Sequence, residues 1–199
     1  MGVTGSICAV RRALFRPIPP GTILDDVYWP LRVAMQGFRV YHDGRARAYD
    51  RLPERARDEF RRKVRTLSGN FQLVTQLPAA LLPWRNPIWV QFVSHKLLRL
   101  LAPWALLGAL GSSALLPGTP YQAAFWCQVA FYALGLAGIG TAAGARLRVA
   151  AAAASFLVLN GAAWLAFWVW ATGGAARSWG KVAYTPAVPA LPGGPGREP

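Results

Sequence analysis

Residues 100–145 read "LLAPWALLGALGSSALLPGTPYQAAFWCQVAFYALGLAGIGTAAGA", without a charged residue or a histidine. This run is too long for one membrane helix, because a bilayer core needs about 20 helical residues. The segment "LPGTPY" (Leu116–Tyr121) is a natural break, since it brings prolines and a glycine together. We therefore predict one span over residues 97–116 and a second over residues 122–143.

A third apolar stretch, over residues 150–171, follows the basic patch "ARLRV" and ends in the aromatic run "WLAFWVW". Such a run is typical of a membrane interface. Buried core helices of a soluble protein are the alternative, but three nearly uncharged stretches of this length favour a membrane region over residues 97–172. The chain carries a formal charge of +14, nine tryptophans and 54% hydrophobic residues, which favours anionic lipid over nucleic acid as its partner.

The basic residues that flank the spans predict their orientation. They put residues 1–96 and the 146–148 loop on the cytoplasmic face of a bacterial-type inner membrane. Residues 173–199 are predicted to be a tail, partly disordered, whose side stays open because its basic residues and the number of spans disagree. The flanking residues are Lys96 and Arg99 before the first span and Arg146 and Arg148 after the second.

The segment before the first span mixes aromatic and basic residues. It reads "LLPWRNPIWVQFVSHKLLRL" (Leu81–Leu100). This composition is typical of a helix lying in the membrane interface, and we assign residues 79–96 to it. An ordinary linker leading into the span is the alternative.

The amino-terminal part contains "TILDDVYWPLRVAMQGFRV" (Thr22–Val40). Apolar residues at helical spacing predict a helix from about Asp26. Gly37 suits a left-handed cap at its end. The next residues, "FRVYHD" (Phe38–Asp43), alternate as a strand would. The predicted apolar face of the helix consists of Val27, Leu31, Ala34 and Met35.

A second amphipathic helix is predicted within "ERARDEFRRKVRTLSGNFQLVTQL". Its apolar residues recur at spacings of three and four. Arginines at this density can hold a diphosphate or anionic lipid headgroups. The alternative is a solvated face with internal ion pairs. The apolar residues are Phe60, Val64, Leu67, Phe71 and Val74, and the basic ones are Arg57, Arg61, Arg62, Lys63 and Arg65.

Two adjacent aspartates, Asp25 and Asp26, stand at the predicted start of the first helix. The helix dipole favours a charged carboxylate there, which can act as a general base. Capping of the helix is the alternative, and on the pair alone it is the stronger one. No metal site is predicted, because the two cysteines lie far apart and neither histidine has a Cys or His neighbour.

The order of these pieces resembles the second half of a membrane-bound family-2 glycosyltransferase, such as the cellulose, poly-N-acetylglucosamine and hyaluronan synthases. The resemblance covers roughly residues 4–100, and its most specific part is the aspartate pair followed by Arg32 and "GFRV" (Gly37–Val40). It implies that residues 1–78 are the acceptor-side half of an α/β GT-A-like domain, in a chain that is mostly α overall. It further implies that Asp26 is the general base and that Asp25, Gly5 and Ser6 line the acceptor side.

The same resemblance implies a nucleotide-sugar donor, a glycan or lipid-linked acceptor, and a divalent cation, Mg or Mn, in the complete enzyme. Arg62 and Arg65 are the candidates for binding the diphosphate. Of the family's "QxxRW" motif only Arg65 matches, since Arg62 and Thr66 replace the glutamine and tryptophan, which puts processive synthesis in question.

The family's metal-binding "DxD" motif does not occur in the 199 residues. We therefore expect this chain alone to be inactive and to bind no cofactor. A misplaced start of the reading frame or a partner chain supplying the donor half would account for this. The competing prediction is a small non-catalytic membrane protein that binds anionic lipid or a partner enzyme through its basic helix.

Overall fold

The computed structural model describes residues 7–48 and 56–174, and most of them are helical. Seven α-helices occur in these two ranges, together with one 3₁₀ turn and one π-helical turn. The helices are α1 (Asp25–Met35), α2 (Ala56–Gln76), α3 (Trp89–Phe92), α4 (Leu98–Leu115), α5 (Thr119–Gly140), α6 (Ala142–Arg146) and α7 (Arg148–Ala171). The 3₁₀ turn is Pro78–Leu81, and the π turn is Val93–Leu97.

Three helical segments are long and apolar enough to cross a membrane, as the sequence predicts. They comprise 27, 22 and 24 residues and are Trp89–Leu115, Thr119–Gly140 and Arg148–Ala171. The first joins α3, the π turn and α4 without a break. It therefore begins inside the segment that we predicted to lie along the membrane interface, and it includes Lys96 and Arg99.

Helix α1 forms and ends as predicted. Gly37 has φ of +86°, a conformation that favours glycine. Its N–H donates to the carbonyl of Ala34 at 2.9 Å, and the N–H of Phe38 donates to that of Val33 at 3.3 Å, which is the bonding of a Schellman motif. The predicted apolar face is confirmed, since Val27, Leu31 and Ala34 are buried and Met35 packs beside them.

The predicted strand at Phe38–Asp43 is wrong, because these residues have no regular secondary structure. An alternating pattern makes a strand only when a neighbouring strand takes up its hydrogen bonds, and the described ranges contain no strand. The α/β fragment predicted for residues 1–78 is therefore not seen in the part that is described. Residues 11–14, ahead of α1, form a single turn, in which the Leu14 N–H donates to the Arg11 carbonyl at 2.9 Å.

Helices α5 and α7 pack with their backbones close together. A Cβ atom at Gly138 would lie 2.4 Å from the carbonyl oxygen of Ala150, and one at Gly135 would lie 2.5 Å from Leu157. Small residues that let backbones approach are the usual means by which helices associate in lipid. This pair forms the centre of the membrane region.

The basic helix α2 packs against α7. Its predicted apolar residues Val64 and Leu67 are buried against alanines of α7, with Leu100 of α4 in the same cluster. The ring of Phe71 lies 5.6 Å from Phe167 and 5.5 Å from Trp170. The alanines are Ala162, Ala163 and Ala166. Helix α2 is thus attached to the third membrane helix.

This attachment bears on the predicted orientation. Ala162 lies 14 residues after Arg148, which is roughly 20 Å along a helix. The α2 contact is therefore in the half of α7 that is distant from Arg148. By contrast, residues 1–96, which include α2, and residues 146–148 were predicted to lie on the same face of the membrane.

Candidate functional site at the start of α1

Helix α1 is held against α2 and against the segment that leads into the first span. One cluster of buried side chains joins these elements, and its centre is Phe92, which is 1% exposed. Because Phe92 belongs to the first membrane helix, this cluster fixes α1 beside the entry of that helix. The buried members are Leu24, Val27, Tyr28, Leu31, Leu73, Ala80 and Phe92.

The chain that enters α1 is also fixed on α2. The Ile23 N–H donates to the side-chain oxygen of Gln72 at 2.9 Å, and the Gln72 amide donates to the Gly21 carbonyl at 2.9 Å. Gly69 lies in the same contact, since a Cβ there would be 2.7 Å from Cγ of Leu24. The start of α1 is therefore positioned by backbone hydrogen bonds as well as by packing.

The two aspartates occupy the first two positions of α1, directly after the capping residue Leu24. The side chain of Leu24 makes no capping hydrogen bond. The Asp25 carboxylate accepts the N–H of Asp26, one of the free amides of the first turn, at 2.9 Å. Asp25 thus satisfies a helix-end amide without standing at the capping position, and it is exposed, whereas Asp26 is half-buried.

The pKa of the Asp26 carboxyl is raised above its ordinary value. Burial is the main cause, and the negative charge of Asp25 adds to it. The charge of Lys96 and the backbone amides of Asp26 and Val27 lower the pKa in part. The position of Asp26 at the helix start predicted a favoured charged form, but burial and the neighbouring carboxylate outweigh that effect.

Lys96 is the residue that the sequence analysis did not connect with this site. It lies in the π turn Val93–Leu97 and is half-buried. Single π turns within α-helices often occur at functional sites. Its charge acts on Asp26, although the ion pairs at contact distance in the described ranges do not include these two residues. No sequence signal links the two positions, since the fold alone brings them together.

The predicted diphosphate-binding arginines do not act on Asp26. Arg62 donates from Nε and Nη2 to the Glu59 carboxylate at 3.0 and 3.1 Å, as the ion-pair alternative predicted. Arg65 is half-buried and lies one turn before Gly69. Neither arginine is among the groups that shift the pKa of Asp26. Gly5 and Ser6 lie outside the described residues.

The described residues do not fit the divalent cation implied by the resemblance. No group of three or more His, Cys, Asp or Glu side chains in these ranges could hold a metal ion. Asp25 and Asp26 offer two carboxylates without a third ligand. What the described residues offer chemically is proton acceptance at Asp26 and the charges around it.

Comparison with known proteins gave no match to a family model, to a curated protein or to a solved structure. The glycosyltransferase resemblance therefore stays a prediction from motif order.

Proposed function

We propose that this chain forms the acceptor side and the membrane anchor of a family-2-like glycosyltransferase, with Asp26 as the general base. The observation that carries the proposal is the half-buried Asp26 carboxylate, held at the start of α1 beside Lys96 of the first membrane helix. A raised pKa supports this role, because a base accepts a proton best when its pKa lies nearer the working pH.

In the proposed reaction the Asp26 carboxylate accepts the proton of an acceptor hydroxyl. The hydroxyl oxygen then attacks the anomeric carbon of the donor sugar, and the bond from that carbon to the diphosphate breaks. Lys96 favours the ionised form of Asp26, since its positive charge lowers the pKa of that carboxyl. The donor nucleotide would be bound by polypeptide outside these 199 residues.

The site lies beside the first membrane helix, which supports an acceptor that is lipid-linked or a growing glycan at the membrane surface. Arg65 is the better of the two diphosphate candidates, because Arg62 is bonded to Glu59. Neither assignment enters the test below, which concerns the base alone.

The test uses the C-terminally tagged chain, isolated from its native membranes together with any bound partner chain. Transfer from radiolabelled nucleotide sugars is compared for the native protein, Asp26→Asn and the control Asp43→Asn, whose carboxylate is exposed. Loss of a general base lowers turnover by about 100-fold or more. We expect that loss in Asp26→Asn with binding of the nucleotide sugar retained, and no loss in the control.

Equal turnover in Asp26→Asn and the native protein would overturn the base assignment. Absence of transfer from every preparation would favour the second candidate, a non-catalytic protein that binds anionic lipid or a partner enzyme. One observation supports that candidate: α2 uses its apolar face on α7 and leaves Arg57, Arg61 and Arg62 exposed.

A further inference from the structure

A cleft of about 400 Å³ lies at the other end of α1, away from the aspartates. Its walls come from three elements: the segment before α1, the last turn of α1 and the end of α2. Arg32 is six residues after Asp26, or about 9 Å along the helix axis. The cleft is thus separate from the candidate site. Its lining residues are Arg16, Arg32, Met35, Gln36 and Leu77.

The cleft holds two arginines, and one of them is fixed in place. The Arg32 guanidinium lies 5.8 Å from the centre of the Tyr28 ring, and its Nη1 donates to the Tyr28 hydroxyl at 3.4 Å. Tyr28 is 4% exposed and cannot move without disturbing the core. Contact with an aromatic ring holds a guanidinium in one orientation and leaves its other N–H groups free to donate.

No carboxylate in the described ranges pairs with either cleft arginine. The ion pairs found there join Asp43 to Arg45, and Glu59 to Arg62 and Lys63. Two guanidinium groups facing one cleft repel each other unless an anion lies between them. A phosphate oxyanion suits them, because its oxygens accept parallel N–H bonds from the arginine fork.

Two of the other three lining residues are apolar, and the third is Gln36, whose side-chain amide donates to the Arg32 carbonyl at 3.1 Å. Met35 and Leu77 are both half-buried and pack against the core under α1. Leu77 leads directly into the 3₁₀ turn Pro78–Leu81 and from there to Trp84, which is 77% exposed, ahead of the first membrane helix. The chain that leaves the cleft at Leu77 thus reaches the first membrane helix within about a dozen residues.

We propose that this cleft binds the phosphate of a membrane lipid, with Arg16 and Arg32 on the phosphate and Met35 and Leu77 against the start of the acyl chains. Free phosphate has the same anionic group as the lipid, but it has no acyl chain to contact Met35 and Leu77. The apolar side chains of Met35 and Leu77, and the short stretch of chain between Leu77 and the first membrane helix, favour the lipid. This inference stands whether or not Asp26 is a catalytic base.

Binding is measured by native mass spectrometry of the full chain in detergent, with dioctanoyl phosphatidate, dioctanoyl phosphatidylcholine and inorganic phosphate as separate probes. We expect phosphatidate to bind at one site and more tightly than the other two. Loss of a charge-assisted hydrogen bond weakens binding by about tenfold or more. Arg16→Gln and Arg32→Gln should each show that loss, and Arg32→Lys a smaller one, because it keeps the charge but not the fork.

Arg12→Gln is the matched control, since Arg12 is exposed and does not line the cleft. If Arg32→Gln fails to fold, Arg16→Gln decides, because Arg16 is exposed outside the core. If Arg12→Gln weakened binding equally, the binding would depend on general positive charge and not on the cleft. That result would overturn the site. Binding of inorganic phosphate as tightly as phosphatidate would overturn the lipid assignment.

Discussion

The amino-terminal part meets the membrane helices at two places that differ in character. Helix α2 meets α7 through apolar and aromatic side chains, among them Leu67 and Phe71. Helix α1 meets the first membrane helix through Phe92, and at the edge of that contact Asp26 faces Lys96. The first contact provides attachment, whereas the second also supplies Asp26, which can accept a proton, and Lys96, whose charge favours the ionised carboxylate.

Four predictions test this division between attachment and chemistry. Truncation in either contact should lower the free energy of unfolding. Of the two contacts, only the α1 contact has a charged edge at which a change should alter how stability depends on pH.

The largest effect is expected for Phe92→Ala in the α1 contact. Phe92 is 1% exposed, and removing a buried phenylalanine ring costs about 4 kcal/mol of the free energy of unfolding. Steric trapping in bicelles measures this quantity. Phe15→Ala is the control, since Phe15 is 46% exposed. A loss no larger than the control's would mean that α1 does not pack on the first membrane helix.

Leu67→Ala tests the α2 contact. Leu67 is 2% exposed against α7, and we expect a loss of about 3 kcal/mol, measured in the same way. Leu101→Ala provides the comparison, because Leu101 is 57% exposed on α4. If the two variants are equally stable, α2 is not attached to α7 and the amino-terminal part is independent of the membrane helices.

Gly69→Val tests the point where α2 approaches the entry of α1. A Cβ atom there would lie 2.7 Å from Leu24 and 3.0 Å from Ile23, and such overpacking costs about 2 kcal/mol. The matched control is Gly108→Val in α4, where a Cβ meets nothing within 4 Å. Thermal unfolding should show a clear fall in Tm for Gly69→Val only. Equal shifts in Tm for the two variants would show that the change reflects helix propensity and not overpacking at the contact.

Asp26→Asn should have the smallest effect on stability. Unlike the three preceding variants, it should stabilise the protein. Because the pKa of Asp26 is raised in the folded state, the unfolded chain ionises first, near the ordinary value of 3.8. The native protein therefore loses stability as pH rises from there through the folded pKa, and Asp26→Asn does not. The variant should equal the native protein at lower pH and exceed it at neutral pH.

Asp43→Asn is a control for that pH series, because its effect on stability should have the opposite sign. The side chain of Arg45 donates to the Asp43 carboxylate at 2.8 and 3.0 Å and lowers its pKa. That contribution to stability is present above pH 3.8 and is lost as pH falls through the folded pKa. Asp43→Asn should therefore be less stable than the native protein at neutral pH. Identical pH curves for the two variants would contradict both assignments.

The sequence predicted α1, α2 and the three spans, since each of these has a local signal. Charge-free runs marked the three spans, and "QGF" marked the end of α1 because only a residue tolerant of positive φ closes a Schellman motif there. The apolar residues of α2 were also identified from their spacing. Their partner was not, because helical spacing shows which face is buried and not what covers it.

The contacts that make the site had no such signal. Lys96 and Asp26 are 70 positions apart. Lys96 also had another explanation already, as one of the basic residues that predict the membrane orientation. The strand expected at Phe38–Asp43 failed for a related reason, since an alternating pattern carries no information about a neighbouring strand. Burial of Asp26, which raises its pKa, depends on how α1 sits beside the first span.

The most direct test is the pKa of Asp26, read from its ¹³C-labelled side-chain carboxyl by NMR, in the native chain and in Lys96→Met. The account predicts a pKa above 3.8 in the native chain. It predicts a still higher value in Lys96→Met, because the positive charge that lowers it is gone. A native value at or below 3.8, or no change in Lys96→Met, would contradict the placement of Asp26 beside the membrane entry.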